Sequence, residues 1–311
     1  MSVIAPWVTD ENNTLPYITL DELKQSPIAA SLDFQNLVPN TGVNSQDAGL
    51  NSLILQSSSK IDAYCVGALS TMNATVTTEN GTYTVNRNGQ FIVHPYGFPI
   101  LEVQSFAYAP TGGSGDLVPV NLTPQNTTIE RYQFKINNTS TPSGGAFIQF
   151  GTGFPFSKTS GSNQCQYTYV NGFPNTQLIT PAIAGVAEIE VSSSVGVYPN
   201  SSLLIWDGAS FESVTVAQTF VPDSGGIIPL IHPLQFNHDA GVSVASPGLT
   251  SIKEACIHFV VAMCEERGDG GMTLAGIGAA TISGVGSSSA SAHHAAAYDL
   301  LDSYRNIWGR N

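Results

Sequence analysis

The residues nearest to reactive chemistry are a few histidines and cysteines. His238-Asp239 sets an imidazole beside a carboxylate, the residue types of a general base and its orienting acid. Adjacent residues do not easily turn toward each other, and no nucleophile is signposted nearby, so the pair reads as a loop or strand end. His293-His294 are metal-ligand types, but neighbours on a helix diverge by about 100° and share one ion poorly. Glu254 and His258 are one helical turn apart, the spacing of ordinary face pairing. Cys256 and Cys264 fall about 12 Å apart along a helix axis, beyond the roughly 7 Å that a disulfide spans. With Cys65 and Cys165, they read as small buried apolar residues in a reducing compartment. The chain has no Gly-x-Ser-x-Gly elbow, His-Glu-x-x-His helix, Walker loop or paired Cys-x-x-Cys, and Gly276-Ile-Gly278 lacks the third glycine of a dinucleotide fingerprint. No catalytic residue, cofactor or metal is expected, and the chain is read as not an enzyme.

Binding chemistry is richer at the C-terminal end. Tyr304, Arg305, Ile307, Trp308 and Arg310 combine aromatic and aliphatic anchors with guanidinium donors, the residue types of protein–protein hot spots. Tyr304 and Ile307 suit an intramolecular core equally well, whereas Trp308 and Arg310 are better placed to reach a partner. Trp7, within the first sixteen residues, marks a second candidate arm. Tyr198, Trp206 and Phe211 are the residue types of a sugar-binding platform, the alternative reading of the strand-rich middle as a carbohydrate-binding or adhesin module.

These residues must be positioned by helices at both ends and strands between. Thr19 and Glu22 form a capping box that starts a short helix. A long amphipathic helix over about 45–70 turns Leu50, Leu53, Ile54, Ser57, Ile61, Tyr64, Cys65 and Ala68 inward and leaves Gln56, Ser58, Lys60 and Asp62 in water. Short strands follow to Tyr108, and the Pro-Thr-Gly-Gly-Ser-Gly run at 110–115 breaks them. Over 111–245 helical periodicity is lost. Strands are predicted at 131–136, 146–150, 166–170, 187–191, 202–206, 213–216, 227–230 and 242–245, punctuated as in a sandwich or barrel, with an Asp207-Gly208 hairpin turn. A second capping box, Ser251 to Glu254, opens a helix ending at Gly268, with Ile252, Cys256, Phe259, Val260 and Met263 as its core stripe. The Gly/Ser-rich stretch 268–291 reads as a loop, and a last helix covers about 292–308. The division is an N-terminal arm (1–16), a helical core in two parts (17–110 and 246–311) and a β-rich insertion (111–245, with 183–245 a possible separate module). The fold class is α+β, with a helical core built from both chain ends and interrupted by a sandwich- or barrel-like insertion.

Composition narrows the function. The 311 residues carry ten Lys and Arg against twenty-three Asp and Glu, a formal net charge of −13, and only 11% are charged. Gripping DNA by counterion release needs clustered basic residues, and the ten are scattered. An acidic wall past which DNA slides remains compatible. The start has no basic, apolar signal pattern, and no run approaches the roughly 20 apolar residues that span a bilayer. The Asn-x-Ser/Thr triplets at Asn12, Asn73, Asn80, Asn121, Asn126 and Asn200 read as by-products of Asn- and Thr-rich composition.

The order of helices resembles the head–tail connector (adaptor) family of tailed bacteriophages. The likeness lies in Tyr17-Ile-Thr-Leu-Asp-Glu-Leu-Lys24, in the helix end Ile61-Asp-Ala-Tyr-Cys65, in Ile252-Lys-Glu-Ala255 and in Tyr298-Asp-Leu-Leu-Asp-Ser-Tyr-Arg305. It covers 17–108 and 247–308, about half the chain; the β insertion exceeds the minimal helical connectors. The resemblance implies a structural protein of the virion neck, assembled in the host cytoplasm. It implies a ring, dodecameric in the family, that docks to the portal protein and other neck or tail proteins, with DNA only as a passing cargo and no membrane.

Overall fold

The computed structural model describes residues 16–30, 32, 43–66, 71–86, 88–109, 117–137, 163–206, 211–222, 225–266 and 285–305, with backbone alone for 43–45 and 285–288. The protein is mixed α and β and divides into two compact units. One is Ala74–Gly172; the other joins Met1–Asn73 to Phe173–Asn311.

The middle unit is a curled antiparallel sheet. Its strands are β1 (Thr75–Val85), β2 (Gln90–Val93), β3 (Ile100–Tyr108), β4 (Val118–Pro119), β5 (Thr127–Ile129), β6 (Phe134–Asn137) and β7 (Gln164–Asn171), in the spatial order β4-β3-β7-β1-β2-β6-β5. β1 bends from one partner to another: Thr75 to Thr82 pair with β7, and Tyr83 to Val85 with β2. Register shifts in β3 add curvature. The curl brings the start of β3 to the β5–β6 turn, where Ile100 N–H donates to Arg131 O at 3.2 Å and the Phe98 and Tyr132 rings lie 5.1 Å apart. The interior is largely aromatic, with Tyr83, Phe91, Phe106, Phe134, Tyr167 and Tyr169 buried.

The other unit holds the helices α1 (Leu20–Gln25), α2 (Val43–Cys65), α3 (Thr250–Glu266) and α4 (Val285–Leu301). α3 is buried almost all round, as a central helix must be, with Ile252, Ala255, Cys256, Phe259, Val260 and Val261 inaccessible. α2 touches it through Ser58 and Cys256, and α4 through the ring pairs Phe259–His294 and Phe259–Tyr298 at 5.6 and 5.2 Å. Tyr64 O–H donates to Asp302 at 2.6 Å, a tie between positions 238 apart in sequence.

Strands 173–245 belong to the same unit. β8 (Asn175–Gln177), β10 (Ser202–Trp206), β11 (Phe211–Thr215) and β13 (Ser243–Ala245) form a sheet ordered β11-β10-β13-β8, and β9 (Glu188–Glu190) pairs with β12 (Ile227–Pro229). Their shared interior is largely aliphatic, including Val191, Leu203, Ile205, Val216, Ile228 and Val244, with Phe220 its one aromatic member among the described residues. Gly226 is obligatory where β12 begins, since a Cβ there would lie 2.2 Å from the Val191 carbonyl oxygen.

Several expectations are corrected. The units meet at 73/74 and 172/173, not at 110/111 and 245/246, because β3 hydrogen-bonds to β7 across the first of those borders. Ser58 and Asp62 are buried, not wet, because Tyr17 reaches both. α3 is not opened by a Ser251 box. The 3-10 turn Pro247–Leu249, capped by Ser246 Oγ accepting from Gly248 N–H, runs straight into Thr250. Residues 285–291 are helical rather than loop, and α4 ends at Leu301, followed by a 3-10 turn at Asp302–Tyr304. Small side chains let this helix lie against α3, with Ala290 and Ala297 buried and Ser289 Oγ donating to Glu265 at 2.9 Å. The 146–150 strand, the Asp207-Gly208 turn and positions 268–284 lie outside the described residues.

Candidate functional site

An apolar concavity lies between the sheet β11-β10-β13 and the helices. Alternation along Ser202–Trp206 creates it. Leu203 and Ile205 point into the aliphatic core, so Leu204 and Trp206 point the opposite way. The register sets Phe211 and Ser243 on either side of Trp206, and Ala245 beside Leu204. Ile257 of α3 and Ile18, just before α1, close the other side of a cavity of about 240 Å³. Trp206 is half-buried and Phe211 is 60% exposed, so the aromatic end is open to solvent.

A charge pair stands in its wall. The capping box at α1 forms as its sequence dictates: Thr19 Oγ1 accepts from Glu22 N–H at 3.1 Å, and Glu22 Oε2 accepts from Thr19 N–H at 2.7 Å. That fixes Glu22 so that Oε1 accepts from Lys253 Nζ at 2.7 Å, and the same ammonium donates to Ser243 Oγ. Glu22 is nearly inaccessible and Lys253 is 15% exposed, so the pair is largely out of water. Thr250 and Glu254 complete the rim.

Behind the wall, Tyr17 locks the two ends of the first chain segment. Its N–H donates to Ser58 Oγ at 3.1 Å and its hydroxyl donates to Asp62, while Met72 N–H donates to the Tyr17 hydroxyl at 2.9 Å and to Asp62 Oδ1 at 3.1 Å. Burial pushes the Asp62 carboxyl up to about 6, against the lowering effect of these donors. Burial, and then the Asp62 charge, push the Tyr17 phenol well above its ordinary value.

The sequence candidates fall in different places. Tyr304 is half-buried within its own unit, with its hydroxyl donating to Gly248 O at 2.8 Å and its ring 6.0 Å from Phe173. Arg305 is exposed, its guanidinium 5.4 Å over the Tyr64 ring. Ile307, Trp308 and Arg310 lie outside the described residues, as does Trp7. Trp206 and Phe211 are neighbours, but Tyr198 sits beyond the other end of β10, about 14 Å away at strand rise, so the three form no single platform. His238 does not pair with Asp239: its Nε2 lies 3.2 Å from Glu212 Oε2, deeply buried, whereas Asp239 is exposed.

His293 and His294 do diverge. His293 Nδ1 meets His258 Nδ1 at 2.7 Å, and His294 Nε2 meets Glu266 at 2.9 Å. Burial, and then His293, hold His258 below its ordinary value. Burial pushes the thiols of Cys65 and Cys256 up to about 12 and that of Cys165 to about 11, so these three are poor nucleophiles at neutral pH. Among the described residues no group of three or more His, Cys, Asp or Glu could hold a metal ion, and no helix is long and apolar enough to cross a membrane.

Sequence reasoning missed the cavity because its walls come from distant segments. One signal was present, namely the two-sided apolar character of 202–206, which marks a strand covered on both faces. No family model matches the chain, and no curated protein or solved structure matches it either.

Proposed function

We propose that the chain is a structural virion protein, a head–tail adaptor that forms a ring beneath the portal and joins the capsid vertex to the tail, with DNA passing through the axis. The observation that supports this reading is a set of contacts between helices from the two ends of the chain. Tyr64 to Asp302, Lys253 to Glu22 and Ser58 to Cys256 each tie the first seventy residues to the last sixty-five. That arrangement is what the resemblance to connector proteins implies, and Ala74–Gly172, a unit between the two ends, fits an element added to such a body. The charge of −13 suits a channel wall that repels DNA and does not grip it. Binding free energy would come from apolar and aromatic anchors between subunits and on the portal, which in a closed ring recur at every interface.

The test is imaging of the purified full chain with its portal. Coaxial rings of adaptor on portal are expected. Their absence across a wide range of concentrations would overturn the reading.

A further inference from the structure

We infer that the apolar cavity between α3 and the β10–β11 hairpin receives this chain's own C-terminal segment, with Trp308 as the inserted side chain, in the free subunit. The inference rests on the cavity and not on the adaptor reading. A volume of about 240 Å³ is below the roughly 300 Å³ at which pockets hold a drug-sized ligand, so one large side chain suits it better than a free small molecule. Leu204, Ile257 and Ile18 supply an apolar floor, and Trp206 and Phe211 supply aromatic faces at the open end, against which an indole packs in an offset or edge-on manner.

Position and charge single out the segment. Tyr304 is anchored on Gly248 O, and Gly248 belongs to the turn Pro247–Leu249, whose flanking residues Ser246 and Thr250 line the cavity. Trp308 follows Tyr304 by four residues, about 13 Å of extended chain, a reach sufficient to return to that rim. The lining holds two carboxylates, Glu22 and Glu254, against one ammonium, Lys253, and so is acidic by one charge. Residues 305–311 carry Arg305 and Arg310 and no acidic side chain, whereas residues 1–15 carry Asp10 and Glu11 and no basic one. A guanidinium two residues beyond the indole complements the exposed Glu254 carboxylate at the rim.

The experiment places a photoreactive benzoylphenylalanine at position 308 of the full chain and maps the crosslinks by mass spectrometry. An equal mixture of light and heavy isotope-labelled chains separates contacts within a chain from contacts between chains. Crosslinks to Trp206, Phe211 or Ile257 of the same chain are expected, with yield falling at least fivefold in Phe211→Ser. That change removes a ring 60% exposed to solvent, and an unchanged melting temperature would show the fold intact. Crosslinks confined to other surfaces, crosslinks between light and heavy chains, or a yield indifferent to Phe211→Ser would each overturn the inference. So would the same label at position 7 reaching the cavity while position 308 does not.

Discussion

The two strand-rich regions surround their buried polar groups differently. In the curled sheet of 74–172 a carboxylate sits among aromatic residues. Glu79 accepts from the hydroxyls of Tyr167, at 2.7 Å, and Tyr169, and from Tyr96 N–H at 3.3 Å. Burial, and then the Glu79 charge, push both phenols far above their ordinary values. Strands 173–245 instead enclose a largely aliphatic interior and bury their polar groups beside it. There Glu212 holds Gln235 N–H at 2.7 Å and meets His238, and Ser243 accepts from Lys253 of α3. The first arrangement is complete within its own sheet. The second is finished in part by α3, through Lys253, and these strands belong to the helical unit although they are continuous in sequence with the insertion expected over 111–245.

Breaking the charges on each side sharpens that contrast. The largest effect is expected where α1 meets α3, next to the strands. Glu22→Ala leaves Lys253 buried without its carboxylate and removes half of the capping box, costing about 3–5 kcal/mol in denaturant unfolding. A loss below about 1 kcal/mol would show that the pair does not hold α1 to α3.

The next effect comes from Asp62, whose folded-state carboxyl titrates near 6 against an ordinary 3.8. The folded protein therefore binds more protons than the unfolded chain between those values, so stability falls as pH rises through that window. The Asp62 contribution is full below the ordinary carboxylate value and is lost above about pH 6, a difference of roughly 3 kcal/mol. His258, held low, acts in the opposite sense, because its contribution is lost as pH falls. The difference between wild type and Asp62→Asn isolates the carboxylate, and the variant's stability curve is expected to lack this fall between pH 4 and 6.

A smaller loss is expected inside the curled sheet. Tyr167→Phe removes one hydroxyl from Glu79 and leaves Tyr169 in place, at about 1–2 kcal/mol. Differential scanning calorimetry should assign this loss to the transition of the 74–172 unit, with the helical unit unmoved. The smallest effect is at Phe211, where truncation of an exposed ring should leave stability within about 0.5 kcal/mol.

What could be read in the sequence was local. The Thr19–Glu22 box, the limits of Ser202–Trp206 and the inward stripe of α2 follow from spacing and alternation, because each is satisfied within a few residues. Ser58 and Asp62 look solvent-facing in the helical repeat because their partner Tyr17 lies more than forty positions away, and nothing in that repeat reveals an N–H and a hydroxyl arriving from elsewhere. Glu22 was legible as a cap but not as the counter-ion of Lys253, which is 231 positions distant. The cavity was out of reach for the same reason: Trp206 and Phe211 were visible as aromatics, while Ile18 and Ile257, which close it, come from either end of the chain.

The most direct test of a helical body built from both chain ends removes the unit between them. Phe173 N–H donates to Met72 O at 2.7 Å and Asn73 bridges Phe173 in parallel, so a short glycine linker can replace residues 74–172. The shortened chain should keep the helical circular-dichroism signal and unfold cooperatively, with a melting temperature within about 5 °C of the full chain's helical transition. Loss of that signal, or a chain that fails to fold, would contradict a helical unit that folds without residues 74–172.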